Sequence, residues 1–431
     1  MKKVVFLTDV RYWRCRTGAQ QRINALVQYM VRCGNEVTTL FAAPLLEEGG
    51  SKNAEKVCDH SLITNANLKV ISLVDDWNPF GLAKKIKWQG KCILNALTSG
   101  LCKNDGGAEN PNAKNQATLA SLQTVEFVER VDEFLCRIDP DVVVVEYVTL
   151  AYLLPPLDSR RFLSVLDTHD LLASRCRQFE KLGHSHWLQI TSEEEFAVFQ
   201  SFDCVLAIQE HEAQTIRDHT RGPDVVVCGH PVLSNDGSND VSRNPVDSKQ
   251  QNEISVGYFA SDNAANRDAL QWLLTSIWPR VCEHESTIRL VLAGSVCNGL
   301  DLESLTKETL ANVQVLGSIE HVEEFYSEVD LVLNPIRFGT GLKIKNIEAI
   351  QFARPLISTA HGVEAMPVIA AELAPWAVAN TTDEFAATIV ETARSSELRS
   401  KMGENAGIFA KLLTPEAVYG DLLRFIKERA K

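Results

Sequence analysis

The sequence lacks a long hydrophobic run. No stretch of about 18 consecutive apolar residues occurs in it, so we expect no membrane-spanning helix. The first apolar stretch, within MKKVVFLTDV, is interrupted at Thr8 and Asp9 and is too short for the core of a secretory signal. A cytoplasmic protein is therefore the expectation.

Paired cysteine motifs are also missing. The chain has 11 cysteines, yet no two stand at C-x-x-C spacing, so neither a zinc knuckle nor a thioredoxin-type redox pair is offered. Most cysteines lie in apolar surroundings such as SFDCVLAI, where a reduced thiol behaves as a small hydrophobic side chain. This pattern is typical of a reducing compartment.

An excess of positive charge is the third absence. The net charge of −13 argues against a protein that holds a nucleic-acid backbone over a broad surface, so we expect no nucleic-acid partner. The content of 45% hydrophobic and 23% charged residues is typical of a globular protein. A chain of 431 residues is too long for one ordinary core, which favours two domains.

Short apolar runs alternate with helical patterns in both halves of the chain. Because these runs are apolar throughout, both faces of each sheet are expected to be covered, which indicates βαβ units and parallel sheets. The predicted strands are Lys3–Thr8, Glu36–Leu40, Val142–Val145, Phe162–Leu166, Val205–Ile208, Ile254–Phe259, Ile288–Ala293, Val313–Leu316, Leu331–Asn334 and Pro355–Thr359.

A polar segment, Ser234–Asn252, separates the two halves and is predicted to be a linker. The predicted domains are therefore residues 1–233 and 253–412. Thr414 followed by Pro415 predicts the start of a last helix, within residues 413–431, that packs back on the first domain.

The sequence FGTGLKIKNIEAI, residues 338–350, carries the most informative pattern. Gly339 and Gly341 allow a sharp turn after a strand, and Lys343 and Lys345 begin the following helix. A helix N-terminus already favours an anion, and the lysines add to that preference. Glu348, one turn further, is suited to accept hydrogen bonds from two neighbouring hydroxyls. The alternative, a glycine-containing turn with solvated lysines, stays open from the pattern alone.

The longer segment Leu331–Met366 resembles the donor-binding signature of group 1 glycosyltransferases with the GT-B fold. Supporting similarities are VGYFASDNAANRDALQWLLTSIWPRV at the start of the second domain, Gly18 with the following QQR, and LDTHD at residues 166–170. The resemblance spans most of the chain except Leu45–Thr118. It implies an α/β fold of two Rossmann-like domains facing a central cleft, and transfer with retention of anomeric configuration.

The resemblance also implies roles for individual residues. Glu348 would hold the nucleotide ribose, and Lys345 would neutralise the diphosphate leaving group. His169 would face the donor sugar from the first domain, although a buried structural histidine is the alternative. Asn266 and Arg267 would begin a helix near the cleft, and a helix cap is the alternative for Asn266. The other donor-binding residues implied are Gly18, Ser318, Gly339, Thr340, Gly341, Leu342 and Lys343.

Thr340 departs from the family pattern. Many members carry two glutamates eight positions apart, and the partner of Glu348 would stand at residue 340, where this chain has threonine. The departure leaves open how the hydroxyls of the donor sugar are recognised.

The resemblance implies a glycosyltransferase that moves a sugar from a nucleoside diphosphate sugar to a hydroxyl acceptor, and we expect it to act in the synthesis of a cell-surface polysaccharide, glycolipid or glycoconjugate. Neither a metal nor another cofactor is expected. Two alternatives are a nucleotide-sugar 2-epimerase and a nucleotide-sugar-binding protein without turnover.

A basic stretch, Leu82–Leu97, stands out in an otherwise acidic chain because it combines four lysines with apolar residues at near-helical spacing. One interpretation is a peripheral contact with the inner face of a membrane, which would bring the cleft to a lipid-linked acceptor. The other is an ordinary surface helix that packs on its own sheet.

Overall fold

The computed structural model describes residues 1–15, 17–42, 68–73, 116–123, 125–184, 186–232, 254–300, 310 and 312–430. The predicted linker Ser234–Asn252 and the basic stretch Leu82–Leu97 lie outside the described residues. Within the described ranges, no helix has both the length and the apolar character needed to cross a membrane.

The first domain is built on a parallel sheet of seven strands in the order β3-β2-β1-β5-β6-β8-β9. A pair of very short strands, β4 and β7, lies beside it. The bounds are β1 Lys3–Thr8, β2 Glu36–Phe41, β3 Leu68–Ser72, β4 Ala117–Thr118, β5 Val142–Glu146, β6 Leu163–Asp167, β7 Leu188–Gln189, β8 Cys204–Ala207 and β9 Asp224–Val227.

The second domain has a parallel sheet of six strands in the order β12-β11-β10-β13-β14-β15. These strands are β10 Ser255–Phe259, β11 Arg289–Ala293, β12 Val313–Gly317, β13 Leu331–Asn334, β14 Leu356–Ser358 and β15 Trp376–Val378. Two parallel sheets in tandem are thus observed, as the alternating patterns predicted.

Helices connect the strands. Their bounds are α1 Gly18–Arg32, α2 Leu119–Leu122, α3 Val125–Ile138, α4 Leu172–Lys181, α5 Ser192–Phe199, α6 Glu210–His219, α7 Ala264–Trp272, α8 Trp278–His284, α9 Val322–Glu328, α10 Ile344–Gln351, α11 Ala360–Val363, α12 Thr382–Arg394, α13 Ser396–Phe409 and α14 Pro415–Arg429.

The strands that the sequence patterns missed are mostly edge strands. β3, β9 and β15 each lie at the edge of a sheet, and the side chains of β9 and β15 are only partly buried. An edge strand has less surface to cover, so its sequence carries a weaker apolar signal.

The order of the strands fixes where a ligand can bind. In the first sheet the order reverses between β1 and β5, and in the second between β10 and β13. The connections leave these strands on opposite faces of the sheet, which opens a crevice at their carboxyl ends. The loop before α1 follows the carboxyl end of β1, and the turn before α10 follows that of β13. The end of β6 lies at the same edge of the first sheet, next to β5.

The last helix, α14, packs on the first domain although it follows the second in sequence. Val418, Tyr419 and Leu422 share a core with Ile23 and Tyr29 of α1. The rings of Tyr29 and Tyr419 lie 5.3 Å apart. The helix therefore ties the end of the second domain to the first.

A buried ion pair joins α1 to the sheet of the first domain. Nε and Nη2 of Arg22 donate hydrogen bonds to both carboxylate oxygens of Asp167 at 2.8–3.2 Å. Both side chains are almost completely buried. Burial opposes ionisation of Asp167, but the charge of Arg22 holds the pKa of this carboxyl below its ordinary value.

The substitution Arg22→Met should destabilise the protein strongly, because it leaves the carboxylate of Asp167 buried without its counter-charge. Breaking such a pair costs about 3–5 kcal/mol of unfolding free energy. Urea denaturation measures this, and Arg32→Met, at the exposed end of the same helix, serves as control with a change within about 0.5 kcal/mol. Equal stability of the two variants would contradict the role assigned to the pair.

Candidate active site

A cleft of about 630 Å³ lies between the two domains and is lined by both. It brings together almost all residues predicted from the sequence, whereas Ser318 is exposed after β12 and does not line it. The predicted residues that line the cleft are Gly18, His169, Asn266, Arg267, Gly339, Thr340, Gly341, Leu342, Lys343, Lys345 and Glu348.

The turn before α10 needs its two glycines. Gly339 has φ of +107° and Gly341 has φ of +73°, in the region that disfavours other side chains. The second glycine also lies against the first domain, since a Cβ atom there would stand 3.4 Å from Cβ of Asp170. The turn can therefore reverse the chain and still lie close to the opposite wall.

Lys343 stabilises this turn. It stands at the N-cap of α10, one residue before the helix, and its Nζ donates hydrogen bonds to the carbonyl oxygens of Gly341 at 2.9 Å and Thr340 at 3.1 Å. Burial, and then the charge of Arg175, lower the pKa of Lys343 to about 8. Its charge thus lies at the N-terminus of α10.

Lys345 is the second cation at this helix end. Its Nζ donates a hydrogen bond to Oδ1 of Asn266 at 3.0 Å and lies 4.7 Å above the ring centre of Tyr258. The residue is half-buried. Burial, and then the charge of Lys343, lower its pKa to about 7. An anion bound here would restore the charged form.

Asn266 lines the cleft and does not cap the helix. The cap of α7 is Asn263, whose side chain accepts a hydrogen bond from the backbone N–H of Asn266 at 2.9 Å. Asn266 lies inside the helix and also donates to the carbonyl of Ser261. The alternative of a helix cap for Asn266 is wrong. Arg267 forms an exposed ion pair with Asp262 at the cleft edge.

Glu348 is held by one group from each domain. The hydroxyl of Tyr326 donates to its Oε2 at 2.9 Å, and Nε2 of Gln21, on α1, donates to its Oε1 at 2.8 Å. Burial raises the pKa of Glu348. The carboxylate is thus fixed at the cleft wall, and each of its oxygens accepts one hydrogen bond.

Gly18 permits the close approach of the two domains. A Cβ atom at this position would lie 2.7 Å from Cγ1 of Ile344. Gly18 begins α1 and Ile344 begins α10, so the N-termini of two helices meet across the cleft. Both helix dipoles favour negative charge at this place.

His169 lies on the opposite wall, just past the end of β6. Its ring stacks on that of Tyr147 with centroids 3.9 Å apart, and its Nε2 lies 2.7 Å from Oε2 of Glu146. Both His169 and Tyr147 have positive φ, +59° and +71°. Such strain persists only where the surroundings enforce it, and it is concentrated at functional sites.

The three buried side chains Glu146, Asp167 and His169 place possible metal-ligand atoms within 4.8 Å of one another, and no other such group occurs in the part of the chain that the structure describes. Arg22, however, already neutralises both oxygens of Asp167. A divalent cation would lie beside this guanidinium with one carboxylate left for it. The donor set does not fit a metal ion.

The position of the missing glutamate is occupied by contacts with the first domain. The hydroxyl of Thr340 donates to Oδ2 of Asp170 at 2.9 Å and accepts from Nε of Arg175 at 3.2 Å. Oε1 of Gln178 accepts from the backbone N–H of Gly339 at 3.0 Å. Arg175, Gln178 and Gln21 were not predicted as site residues, because nothing in their local sequence shows which residues face them across the cleft.

Comparison with known proteins identifies the family of the second domain. Residues 253–395 match the family described as glycosyl transferases group 1. Residues 253–395 therefore form a group 1 glycosyltransferase domain. The family and the glycosyltransferase class predicted from the sequence are thereby confirmed for the domain that carries Lys343, Lys345 and Glu348.

Solved structures of similar fold cover both domains. Sucrose-phosphate synthase from Thermosynechococcus elongatus is 15% identical with a TM-score of 0.66, over 99% of each chain. A mutant of S. aureus TarM, in complex with fondaparinux, alpha-GlcNAc-glycerol and UDP, is 11% identical with a TM-score of 0.66, over 99% of this chain and 100% of that one. At this identity the likeness shows the fold, and it confirms the predicted GT-B architecture.

A curated relative matches over a shorter length. An uncharacterized 44.6 kDa protein in the cps region of Klebsiella pneumoniae is 29% identical over 118 residues. The match spans 26% of this chain and 30% of that protein, so it covers about a third of the relative's length.

Lys345→Met should make the protein more stable at neutral pH, because the folded protein lowers the pKa of this lysine from 10.5 to about 7. The folded state then binds fewer protons than the unfolded state, so the charged lysine destabilises the fold increasingly as the pH falls from about 10 to 7. We expect a gain of at least about 1 kcal/mol at pH 7 and a smaller gain at pH 9.5.

Urea denaturation at the two pH values measures this gain. The matched control is Lys427→Met, on the exposed face of α14, which should change the unfolding free energy little at either pH. A Lys345→Met protein that is less stable than the wild type at pH 7 would show that this ammonium group stabilises the fold.

Proposed function

We propose that the protein transfers a sugar from a nucleoside diphosphate sugar to a hydroxyl acceptor with retention of configuration. The observation that carries the proposal is the pair of lysines with lowered pKa at the N-terminus of α10, facing a cleft. A bound diphosphate would accept hydrogen bonds from Lys345 and lie at the positive end of the helix dipole. It would also restore the charge of both lysines.

The lysines would stabilise the reaction most at the step in which the diphosphate leaves, because negative charge develops on it there. The bond between the anomeric carbon and the diphosphate oxygen breaks, and the diphosphate leaves with the electron pair. The acceptor oxygen bonds to the anomeric carbon and gives its proton to the departing diphosphate. Ammonium groups already placed at the diphosphate stabilise the charge as it develops, without a metal ion.

Glu348 and His169 complete the arrangement. The carboxylate of Glu348 would accept hydrogen bonds from the ribose hydroxyls, with Gln21 either sharing Oε1 or turning away. His169, on the opposite wall, would face the donor sugar, with Glu146 fixing its ring. The bound donor would thus contact both domains, which excludes water and limits hydrolysis.

The similar proteins support a class of sugar donor and a biological role for the proposed transfer. The complex of TarM with UDP supports a uridine diphosphate sugar as the donor. The cps-region name of the Klebsiella protein supports a role in the synthesis of a cell-surface polysaccharide, glycolipid or glycoconjugate. The membrane contact predicted for Leu82–Leu97 stays a prediction.

Lys345→Met should bind UDP more weakly and transfer sugar at least tenfold more slowly, since a hydrogen bond to a charged group contributes about 1.5–3 kcal/mol. Isothermal calorimetry with UDP and an assay of UDP released from a panel of UDP-sugars measure the two effects. Lys427→Met is again the control. Undiminished UDP binding and UDP release by Lys345→Met would contradict the proposal, while UDP-sugar binding without turnover by the wild type would favour a binding protein.

Transfer should persist in excess chelator, because the lysines and the helix N-terminus take the place of a cation. The rate of UDP release is measured with and without EDTA, and with magnesium or manganese restored afterwards. A loss of activity in EDTA that either metal reverses would mean that the diphosphate is neutralised by a metal ion and not by the protein.

A further inference from the structure

Trp187 is an exposed aromatic residue in the wall of the cleft. Trp187 is 57% exposed. By contrast, Trp272 and Trp278 are buried, and Trp13 and Trp376 are half-buried. An aromatic ring that lines a cleft and stays exposed presents a face on which a ligand can pack, and ligand pockets are commonly lined by aromatic side chains. Neither the resemblance nor the proposed donor chemistry gives this ring a role.

The backbone around Trp187 is fixed. The carbonyl of Trp187 accepts a hydrogen bond from the N–H of Ala117 at 3.0 Å, and the carbonyl of His186 accepts one from Nε2 of Gln116 at 3.0 Å. The next residue, Leu188, begins β7, which pairs with β4. The short second sheet of the first domain thus holds the tryptophan at the cleft, as expected for a preformed binding surface.

Trp187 also continues a row of aromatic rings that leads to the donor turn. Its ring centre lies 5.8 Å from that of His186, which lies 5.7 Å from that of Phe179. Phe179 in turn packs edge-on against Phe338 of the second domain at 5.8 Å. Because Phe338 directly precedes Gly339, the row connects the exposed ring to the turn before α10.

The surroundings of the ring indicate the class of ligand. The cleft that Trp187 lines carries hydrogen-bonding side chains of the first domain, among them Thr17, His169 and Arg175, as well as aromatic rings. A lipid chain would leave these hydrogen-bonding groups without partners, which is unfavourable. A pyranose has one face of C–H groups and a rim of hydroxyls, so it matches an aromatic face surrounded by hydrogen-bonding groups.

We propose that Trp187 is the platform on which a pyranose ring of the acceptor stacks, so that the hydroxyl acceptor is itself a carbohydrate. The proposal rests on the transfer reaction proposed above and adds the acceptor class and its binding residue. The first domain is the appropriate side, because the groups assigned to the nucleotide and diphosphate, Lys345 and Glu348, lie on the second.

The test uses the full-length protein and simple glycosides as probes. Saturation-transfer NMR is recorded with methyl α-D-glucopyranoside, methyl α-D-galactopyranoside, methyl α-D-mannopyranoside and methyl N-acetyl-α-D-glucosaminide, each with UDP present. At least one glycoside should receive saturation at its ring C–H protons from the wild type. The dissociation constant for that glycoside should rise roughly fivefold or more in Trp187→Ala and less in Trp187→Phe, with UDP binding unchanged.

A matched control is Leu182→Ala, which removes an exposed apolar side chain that is not part of the cleft lining. It should leave the glycoside signals unchanged, and thermal melting should show that all variants are folded. With the bound glycoside as acceptor, Trp187→Ala should raise the KM for the acceptor, whereas Leu182→Ala should leave it unchanged.

Three results would overturn the proposal. The wild type could bind UDP and give no glycoside signal, or Trp187→Ala could give an unchanged glycoside signal. In the third case Trp187→Ala loses affinity for UDP, which would assign the ring to the nucleobase. A failure of UDP itself to bind the wild type would count against the donor chemistry instead. Glycoside binding that depends on Trp187 would then still support a carbohydrate site.

Discussion

The positive charge of two lysines at the N-terminus of α10 is the constraint on which the site depends. A helix N-terminus already carries a partial positive charge, so ammonium groups placed there oppose the helix dipole. In this protein burial adds to that opposition and lowers the pKa of Lys345 to about 7. Hydrogen bonds to carbonyl oxygens of the glycine turn hold the ammonium group of Lys343 in place. The side chain of Asn266 accepts a hydrogen bond from Lys345. The arrangement is unfavourable by itself and becomes favourable with a bound anion.

The contacts between the domains follow from this site. The N-terminus of α1 lies against that of α10 because residue 18 is glycine, and Gln21 of α1 reaches Glu348. On the other side of the turn, Thr340 is held by Asp170 and Arg175. The glycine turn therefore has the first domain on both sides. A ligand bound at the lysines would contact both domains, so binding of the proposed donor would be coupled to the relative position of the domains.

The elements that were predicted correctly are those whose signals are local. The glycine turn with its basic helix start lies within one short stretch of sequence, and Thr414 with Pro415 marks the start of α14 by the chemistry of its own cap. Strands buried on both faces were found from their apolar runs. The edge strand β15 was missed because it is only partly buried. Asn266 was predicted at the cleft with a helix cap as the alternative, and the cap is Asn263, three residues earlier.

The contacts across the cleft could not be predicted in this way. Asp170 and Thr340 lie 170 positions apart, and their hydrogen bond depends on how two separate sheets are placed. Arg175 and Gln178 lie on a helix whose sequence indicates only an ordinary amphipathic pattern. Trp187 gives no signal as a single tryptophan, and its exposure follows from the short pairing of β4 with β7. Such residues need the assembled fold to be recognised.

The most direct test of the central claim is a crystal structure of the protein with UDP. We predict that the diphosphate lies at the N-terminus of α10 within hydrogen-bonding distance of Nζ of Lys345, and that the ribose hydroxyls donate to Glu348. A diphosphate bound elsewhere on the protein, with Lys345 still directed only at Asn266, would contradict the account.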